Sequence, residues 1–511
     1  MWRFAVAGIL AAAAAFAAGE LVAGLVFSVP SPLVGVADLV VEFSPEALAK
    51  WAIQTFGTAD KLVLVISILT VALGAGIAIG RRARWSTVPG LVTIWAFAAL
   101  AWIGLIRSVG VSWVLATGTA LIAGFTGAAL FTRLARLARG RSGMVQHPSA
   151  TPDSDRRRFL VGAGAVVALA TTSAAAGRWL SERARIIAAS RTDVELPAAG
   201  VVLPPLAPNA NVAVEGVSPI ITPNADFYRI DTAISVPMIN LEDWSLQFSG
   251  LVDRPFSLSY DDILAMDLEE HDVTICCVSN QVGGDLIGTA RWLGVPLPNL
   301  LDRAGVQVEG TQIVGRSVDG FTVGFPTQVA MDGRTALLAV GMNGEPLPFE
   351  HGFPARLVVS GIYGYVSATK WLSEVELTGW DAFDAYWIPR GWAKVAPIKT
   401  QSRIDTPRRT TTFAAGPVPI GGVAWAQNTG IRKVEVQIDD GDWNEADLGI
   451  DLSINTWRQW TYVWDASSAA PGRHFVQVRA TDETGETQTA ELAPPRPDGA
   501  TGLHGIAIVI T

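Results

Sequence analysis

The chain has two cysteines, Cys276 and Cys277, and they are adjacent. Neighbouring cysteines cannot close a long loop, so no disulfide stapling distant segments is available within this chain. A thiolate can still act as a nucleophile or as a soft metal ligand. Consecutive side chains on a strand point to opposite faces, so one thiol can pack inward while the other opens on a cleft. Taken alone, Ile275-Cys-Cys-Val278 reads more readily as buried strand than as a site. The residues after it favour chemistry: Ser279, Asn280 and Gln281, then Gly283-Gly284, then Arg291-Trp292. An apolar strand thus runs directly into hydrogen-bonding groups and tight backbone.

The elements that must position this segment fall into two regimes. Of 511 residues, 50% are hydrophobic and only 17% charged, too apolar for a wholly soluble chain of this length. The excess lies before about residue 178. Five apolar runs there approach the roughly 20 residues that span a bilayer: Phe4 to Val29, Leu62 to Ile79, Pro89 to Ile106, Val111 to Phe131 and Phe159 to Gly177. Arginines cluster at 81, 82 and 84, at 133, 136, 139 and 141, and at 156 to 158. Placing these clusters in the cytoplasm predicts an inside N-terminus, with everything after Arg178 on the extracytoplasmic side of the cell membrane. The segment from Pro30 to Lys61 is then an external loop. Residues 1–160 carry 14 Lys and Arg against 7 Asp and Glu, and the rest of the chain 24 against 40. The overall charge of −9 argues against a general nucleic-acid binder.

Asp155-Arg-Arg-Arg-Phe-Leu160 before the fifth run resembles a twin-arginine export signal, retained as a helix or cleaved after it. It implies export of a domain already folded around its cofactor. Glu20, inside the first run, takes part in quinone or proton chemistry, packs within the bundle or sits at the membrane interface. None of the five histidines falls in a proposed span, so a membrane haem would lack axial ligands from this chain. Electrons must then leave through a separate partner such as a cytochrome or a quinone system.

Beyond the spans, residues 178–221 read as an ordered linker or edge wrap. Residues 226–399 mix short strands, such as Trp244 to Phe248 and Ala336 to Val340, with short helices, such as Tyr260 to Met266. That mixture predicts an α+β domain. From about Thr410, short alternating strands dominate, including Val434 to Ile438 and, directly after it, the hairpin signal Asp439-Asp-Gly441. They predict an immunoglobulin-like β-sandwich, with Trp425, Trp443, Trp457, Trp460 and Trp464 as core and interface rather than a sugar-binding surface. The predicted organisation is therefore multi-domain. Residues 1–140 form four transmembrane helices, and 141–190 a basic loop and fifth span. Residues 191–405 form the α+β catalytic domain, and 406–511 the sandwich.

The external part resembles the sulfite-oxidase family of molybdopterin-dependent oxidoreductases, in a membrane-anchored bacterial form. Cys277-Val-Ser-Asn280 looks like that family's Cys-x-x-Asn segment, and Gly288-Thr-Ala-Arg-Trp-Leu-Gly-Val-Pro-Leu297 like the loop after it. Met342-Asn-Gly-Glu345, His351-Gly-Phe-Pro-Ala-Arg356 and Thr369-Lys-Trp-Leu372 resemble further family segments in the same order. The resemblance runs from about Asp226 onward, including a C-terminal dimerisation sandwich, and leaves out the first four spans. It implies a molybdenum cofactor with a single molybdopterin, Cys277 as the one protein ligand to the metal, and Asn280, His351, Arg356 and Lys370 around the pterin. Such a metal cycles between Mo(VI) and Mo(IV) with soft sulfur ligands. Arg229, in Phe227-Tyr-Arg-Ile-Asp231, and Tyr386 are implied to frame the substrate pocket together with Asp231.

Two departures bear on the substrate. Asp231 stands in the apparent place of a histidine, and Gln281 where animal sulfite oxidases carry arginine. Both remove positive charge from a site meant for an oxyanion. The expected activity is two-electron oxygen-atom transfer on a small oxyanion such as sulfite. The alternatives are reduction of methionine sulfoxide or another S-oxide or N-oxide and, outside enzymes, a transport or assembly protein that binds through the sandwich.

Overall fold

The computed structural model describes residues 2–25, 32–45, 60–107, 113–139, 193–233 and 236–511, with isolated positions between them (48, 51–52, 55–56, 161, 164 and 191). It separates into two compact units, residues 1–186 and 187–511. The export-signal-like segment and nearly all of the fifth predicted span lie outside the described residues.

In the first unit, helices Trp2–Leu25, Asp60–Arg82, Val88–Arg107 and Trp113–Arg139 are long and apolar enough to cross a membrane. They match four of the predicted runs and place the chain in the membrane as a multi-pass protein. Their contacts rely on glycine, as expected where no hydrophobic effect drives helices together in lipid. A Cβ on Gly8 would lie 1.8 Å from the carbonyl oxygen of Gly76, and one on Gly80 2.1 Å from that of Phe4. Between the first two spans the structure departs from expectation. Part of the predicted loop is a helix, Pro32–Phe43. At 12 residues it is too short to span. It packs instead through Gly35 against Gly104, where a Cβ would meet the Gly35 oxygen at 2.3 Å.

In the second unit, two sheets enclose one core. The first is antiparallel and ordered Glu269–Cys276, Ile287–Pro296, Ala336–Met342, Glu345–Pro346, with Arg356–Val359 also paired to Ala336–Met342. The second is ordered Phe256–Leu258, Leu246–Gly250, Leu372–Thr378, Gln312–Ser317, Thr322–Pro326, and only its Leu246–Gly250 and Leu372–Thr378 pair is parallel. Short helices fill the connections. Tyr260–Leu264 starts from a capping box in which Ser259 and Asp262 satisfy each other's backbone N–H. This is the expected α+β domain.

After residue 400, nine strands form two open sheets. One runs Gln401–Thr406, Pro417–Trp425, Arg458–Asp465, Asp447–Leu448; the other runs Thr412–Phe413, His504–Ile510, Gly472–Asp482, Ile431–Ile438, Trp443–Glu445. Their facing residues, among them Val418, Ile420, Trp460, Val434, Val436, Val476 and Ile508, share one core. Trp425 and Trp457 pack instead into the core of the α+β domain, so part of the tryptophan stripe is interface. The segment at 193–221 wraps the edge of the first sheet. Val201 bridges Glu269, and the Leu203 N–H donates to Glu270 Oε2 at 2.8 Å.

Candidate active site

Strand Glu269–Cys276 ends at the first cysteine. Cys276 points into the core, and Cys277 opens on a cleft of about 130 Å³. The two thiols therefore take the opposite directions that strand geometry dictates. The chain then turns: the Asn280 N–H donates to the Cys277 carbonyl at 3.0 Å, and the Cys277 N–H to the Leu286 carbonyl at 2.9 Å. Burial pushes the Cys277 thiol up, while hydrogen bonds from the backbone and hydroxyl of Ser279 pull it down.

One wall comes from the extended segment before the first strand. Phe227 stacks on Tyr228 and meets Trp292 and His351 edge-on. Gly288 is required behind it, because a Cβ there would sit 2.9 Å from the Phe227 ring. Tyr228, beside Cys277, is partly buried, and its phenol is pushed well up, first by desolvation and then by the two cysteines. His351 Nε2 lies 3.0 Å from the Asn224 carbonyl, which can only accept, so Nε2 carries the proton. Burial is the main force taking the imidazole down to about 4, with Arg356 and Lys370 adding to it. His351 is thus neutral near pH 7, with Nδ1 free to accept.

Two buried cations form the base. Arg356 donates from Nη1 to the His351 carbonyl at 3.1 Å and lies over Trp292. Its Nη2 makes no hydrogen bond to the described residues. Burial lowers it to about 10, so it stays charged. Lys370 Nζ donates to Asp231 Oδ2 at 3.0 Å and to the Glu350 carbonyl at 3.1 Å. Burial carries Lys370 down to about 8, although Asp231 pulls it up. Asp231, its side chain 3% exposed, also accepts from Arg229 Nε at 2.8 Å. Across the cleft, the turn after Gln312–Ser317 brings in Asp319, whose carboxyl burial pushes up. Tyr365, Trp371, Trp387 and Trp392 supply an aromatic side.

Five residues singled out in the sequence therefore meet in the cleft: Cys277, Asp231, His351, Arg356 and Lys370. Three do not line it. Asn280 Oδ1 accepts the Leu286 N–H at 3.0 Å and so shapes the cysteine loop. Arg229, 38% exposed in its side chain, reaches the cleft only through Asp231. Tyr386 lies one ring back, against Phe321, with Arg390 over its face. Sequence reasoning missed Tyr228, Asp319 and the aromatic side. Tyr228 lay within a segment already singled out for Arg229, but nothing local marked Asp319.

The described residues contain no group of three or more His, Cys, Asp or Glu that could cage a metal by themselves. The cleft offers one thiol, two buried cations with unused donors and a neutral imidazole acceptor. That set fits an anionic cofactor that brings most of its own metal ligands, and it fits a molybdopterin.

Comparison with known proteins points the same way. Residues 233–387 match the family described as oxidoreductase molybdopterin binding domain. The uncharacterised oxidoreductase YuiH of Bacillus subtilis is 34% identical over 153 residues, covering 30% of this chain and 74% of that protein. Mitochondrial sulfite oxidase of Rattus norvegicus is 28% identical over 321 residues, 54% of this chain, which spans 58% of that enzyme's length. The sulfane dehydrogenase SoxCD of Paracoccus pantotrophus superposes with a TM-score of 0.49 at 26% identity, over 57% of this chain and 81% of that one.

Proposed function

Since the chain belongs to the family of molybdopterin-binding oxidoreductases related to sulfite oxidase, we propose that it performs two-electron oxygen-atom transfer at a sulfur centre, with a small oxyanion such as sulfite as substrate. The observation that carries this reading is the placement of Cys277 at the mouth of the strand, facing Arg356, Lys370 and His351 across one cleft. Cys277 would hold the metal of a single-pterin cofactor. When bound, that cofactor supplies the two-electron couple and the oxygen exchanged with substrate. Arg356 Nη2 and Lys370 Nζ are the donors for its anionic groups, and His351 Nδ1 accepts from its N–H edge. Asn280 acts one step back by fixing the loop. Arg229 stands at the rim to receive an anion, and the Tyr386 hydroxyl serves as a donor once Phe321 gives way. Oxidation of sulfite by water releases two protons and two electrons. The electrons pass to a separate cytochrome or quinone system.

The arginine clusters beside the spans support an extracytoplasmic catalytic domain. The two open sheets after residue 400, which share one core, support an immunoglobulin-like module, and the resemblance to sulfite oxidases implies that it joins two copies into a homodimer. A second reading has one observation in its favour. Asp231 already engages both Arg229 and Lys370, and much of the lining is aromatic, which suits a neutral S-oxide or N-oxide run in the reductive direction.

Metal analysis of the purified chain is expected to give about one molybdenum per chain. Cys277→Ala is expected to abolish turnover of sulfite and of sulfoxides alike. Full molybdenum-dependent activity in that variant would remove the assignment, and sulfoxide turnover without sulfite oxidation would select the second reading.

A further inference from the structure

The strand that delivers Cys277 is the outermost of its sheet. An edge strand leaves a row of backbone groups unpaired; Val201 meets them at the start of the strand, and residues of the C-terminal module meet the strand nearer the cysteine. The Thr274 N–H donates to the Asn455 carbonyl at 2.9 Å, and Gln427 Nε2 donates to the Thr274 carbonyl at 3.3 Å. Ser453 Oγ donates to the Asp272 carbonyl at 3.3 Å, and the Trp457 N–H to Thr274 Oγ1 at 2.7 Å.

The same module grips the chain on the far side of the cysteine. Arg403 Nη1 donates to the Gly284 carbonyl at 2.7 Å. The guanidinium is itself fixed, through Nε to Asp405 Oδ1 at 2.5 Å and through Nη2 to Ser218 Oγ at 2.9 Å. Next to it, Gly283 adopts φ +75° and lies so close to the His504 ring that a Cβ would come within 2.2 Å of Cδ2. His504 Nδ1 accepts the Ile404 N–H at 3.0 Å, so the ring is held in one orientation by the strand that carries Arg403. Burial keeps this imidazole neutral, near 4. The gripped segment is short and closed on itself, because Asn280 ties it to Leu286 and the Gly284 N–H donates to the Gln281 carbonyl at 2.8 Å. It has little freedom to move without moving Cys277.

We propose that Arg403 and His504 are positioning residues of the metal site. They belong to the C-terminal module yet clamp the Cys277–Leu286 loop in the posture in which the thiolate reaches the cofactor. The proposal rests on Cys277 being the metal's protein ligand. It gives the C-terminal module a direct part in the site, whatever its part in dimerisation.

The test uses the full chain in two states. In cofactor-free protein, the rate of iodoacetamide alkylation at Cys277, located by peptide mass spectrometry, reports the loop's posture. In molybdenum-loaded protein, the Mo(V) electron paramagnetic resonance spectrum reports the geometry around the sulfur. Arg403→Gln is expected to raise the alkylation rate about tenfold or more, as loss of a charged hydrogen bond makes local opening easier, and to shift the spectrum. His504→Ala, which removes the ring packed against Gly283, is expected to do the same and replaces Arg403→Gln should that variant not fold. Val436→Ala, in the module's core, is expected to lower the melting temperature and change neither readout. Unaltered alkylation in both clamp variants, or equal acceleration in Val436→Ala, overturns the clamp. Absence of molybdenum from the wild-type chain overturns the metal reading instead, and the alkylation comparison still decides whether the loop is clamped.

Discussion

At the scale of residues, the charge arrangement around Asp231 decides what the cleft can accept. One carboxylate engages two cations, Lys370 inside and Arg229 at the rim. Asp231→Asn is expected to cost about 2–3 kcal/mol, because a buried pair loses one member, and urea unfolding measures it. The same variant frees the Arg229 guanidinium, so KM for sulfite should fall about three- to tenfold while KM for a neutral sulfoxide stays put. An unchanged sulfite KM would show that Arg229 does not face the substrate. Much of this site was legible in the sequence. Cys277, His351, Arg356 and Lys370 stand in contiguous motifs whose order survives as text, and all four line the cleft. Asn280, a cofactor contact by the family resemblance, bonds the Leu286 N–H, as a short amide next to a turn readily does. Tyr228, Asp319 and the tryptophans reach the cleft only by tertiary approach, which no local pattern records.

At the scale of elements, apolar run length was enough to place four helices but gave no account of how they touch. Their contacts run through Gly8, Gly76 and Gly80, where backbone meets backbone. Gly80→Leu is expected to force the helices Trp2–Leu25 and Asp60–Arg82 apart at a cost of about 1–3 kcal/mol, as overpacking does. Lower thermal stability and polydispersity in detergent would report it, and an unaffected melting profile would argue against the close crossing. The Pro32–Phe43 helix escaped prediction because its apolar stretch is too short to register as a span and lies in a segment that also holds acidic residues. Among the strands, alternation located Val434 to Ile438 well, since Val434 and Val436 enter the module's core while Glu435 between them turns to Lys433 and Arg479 on the other face. The strand Glu269–Cys276 has no such contrast, its second half being buried throughout, and only the residues after it marked its end.

At the scale of the whole molecule, two neutral imidazoles, His351 in the cleft and His504 under the cysteine loop, link folding to pH. Each falls to about 4 from its usual 6.5 on burial. Between those values the unfolded chain binds protons that the folded chain refuses, so stability declines as pH falls from 6.5 toward 4. The decline is at most about 3 kcal/mol for each histidine. Lys370, brought to about 8 from 10.5, works at the other end, and its share of stability grows as pH rises from 8 to 10.5. Urea midpoints of cofactor-free protein across pH 4 to 7 should show the acid decline, and His504→Asn should make it shallower; an identical slope in the variant would count against a buried neutral ring. The contacts of Arg403 and His504 with the glycines beyond Cys277 also bear on biosynthesis. During translation the nascent cysteine segment leaves the ribosome long before either of its restraints has been made. On the proposed clamp, the cysteine loop takes its final posture only after the strand bearing His504 has emerged and docked.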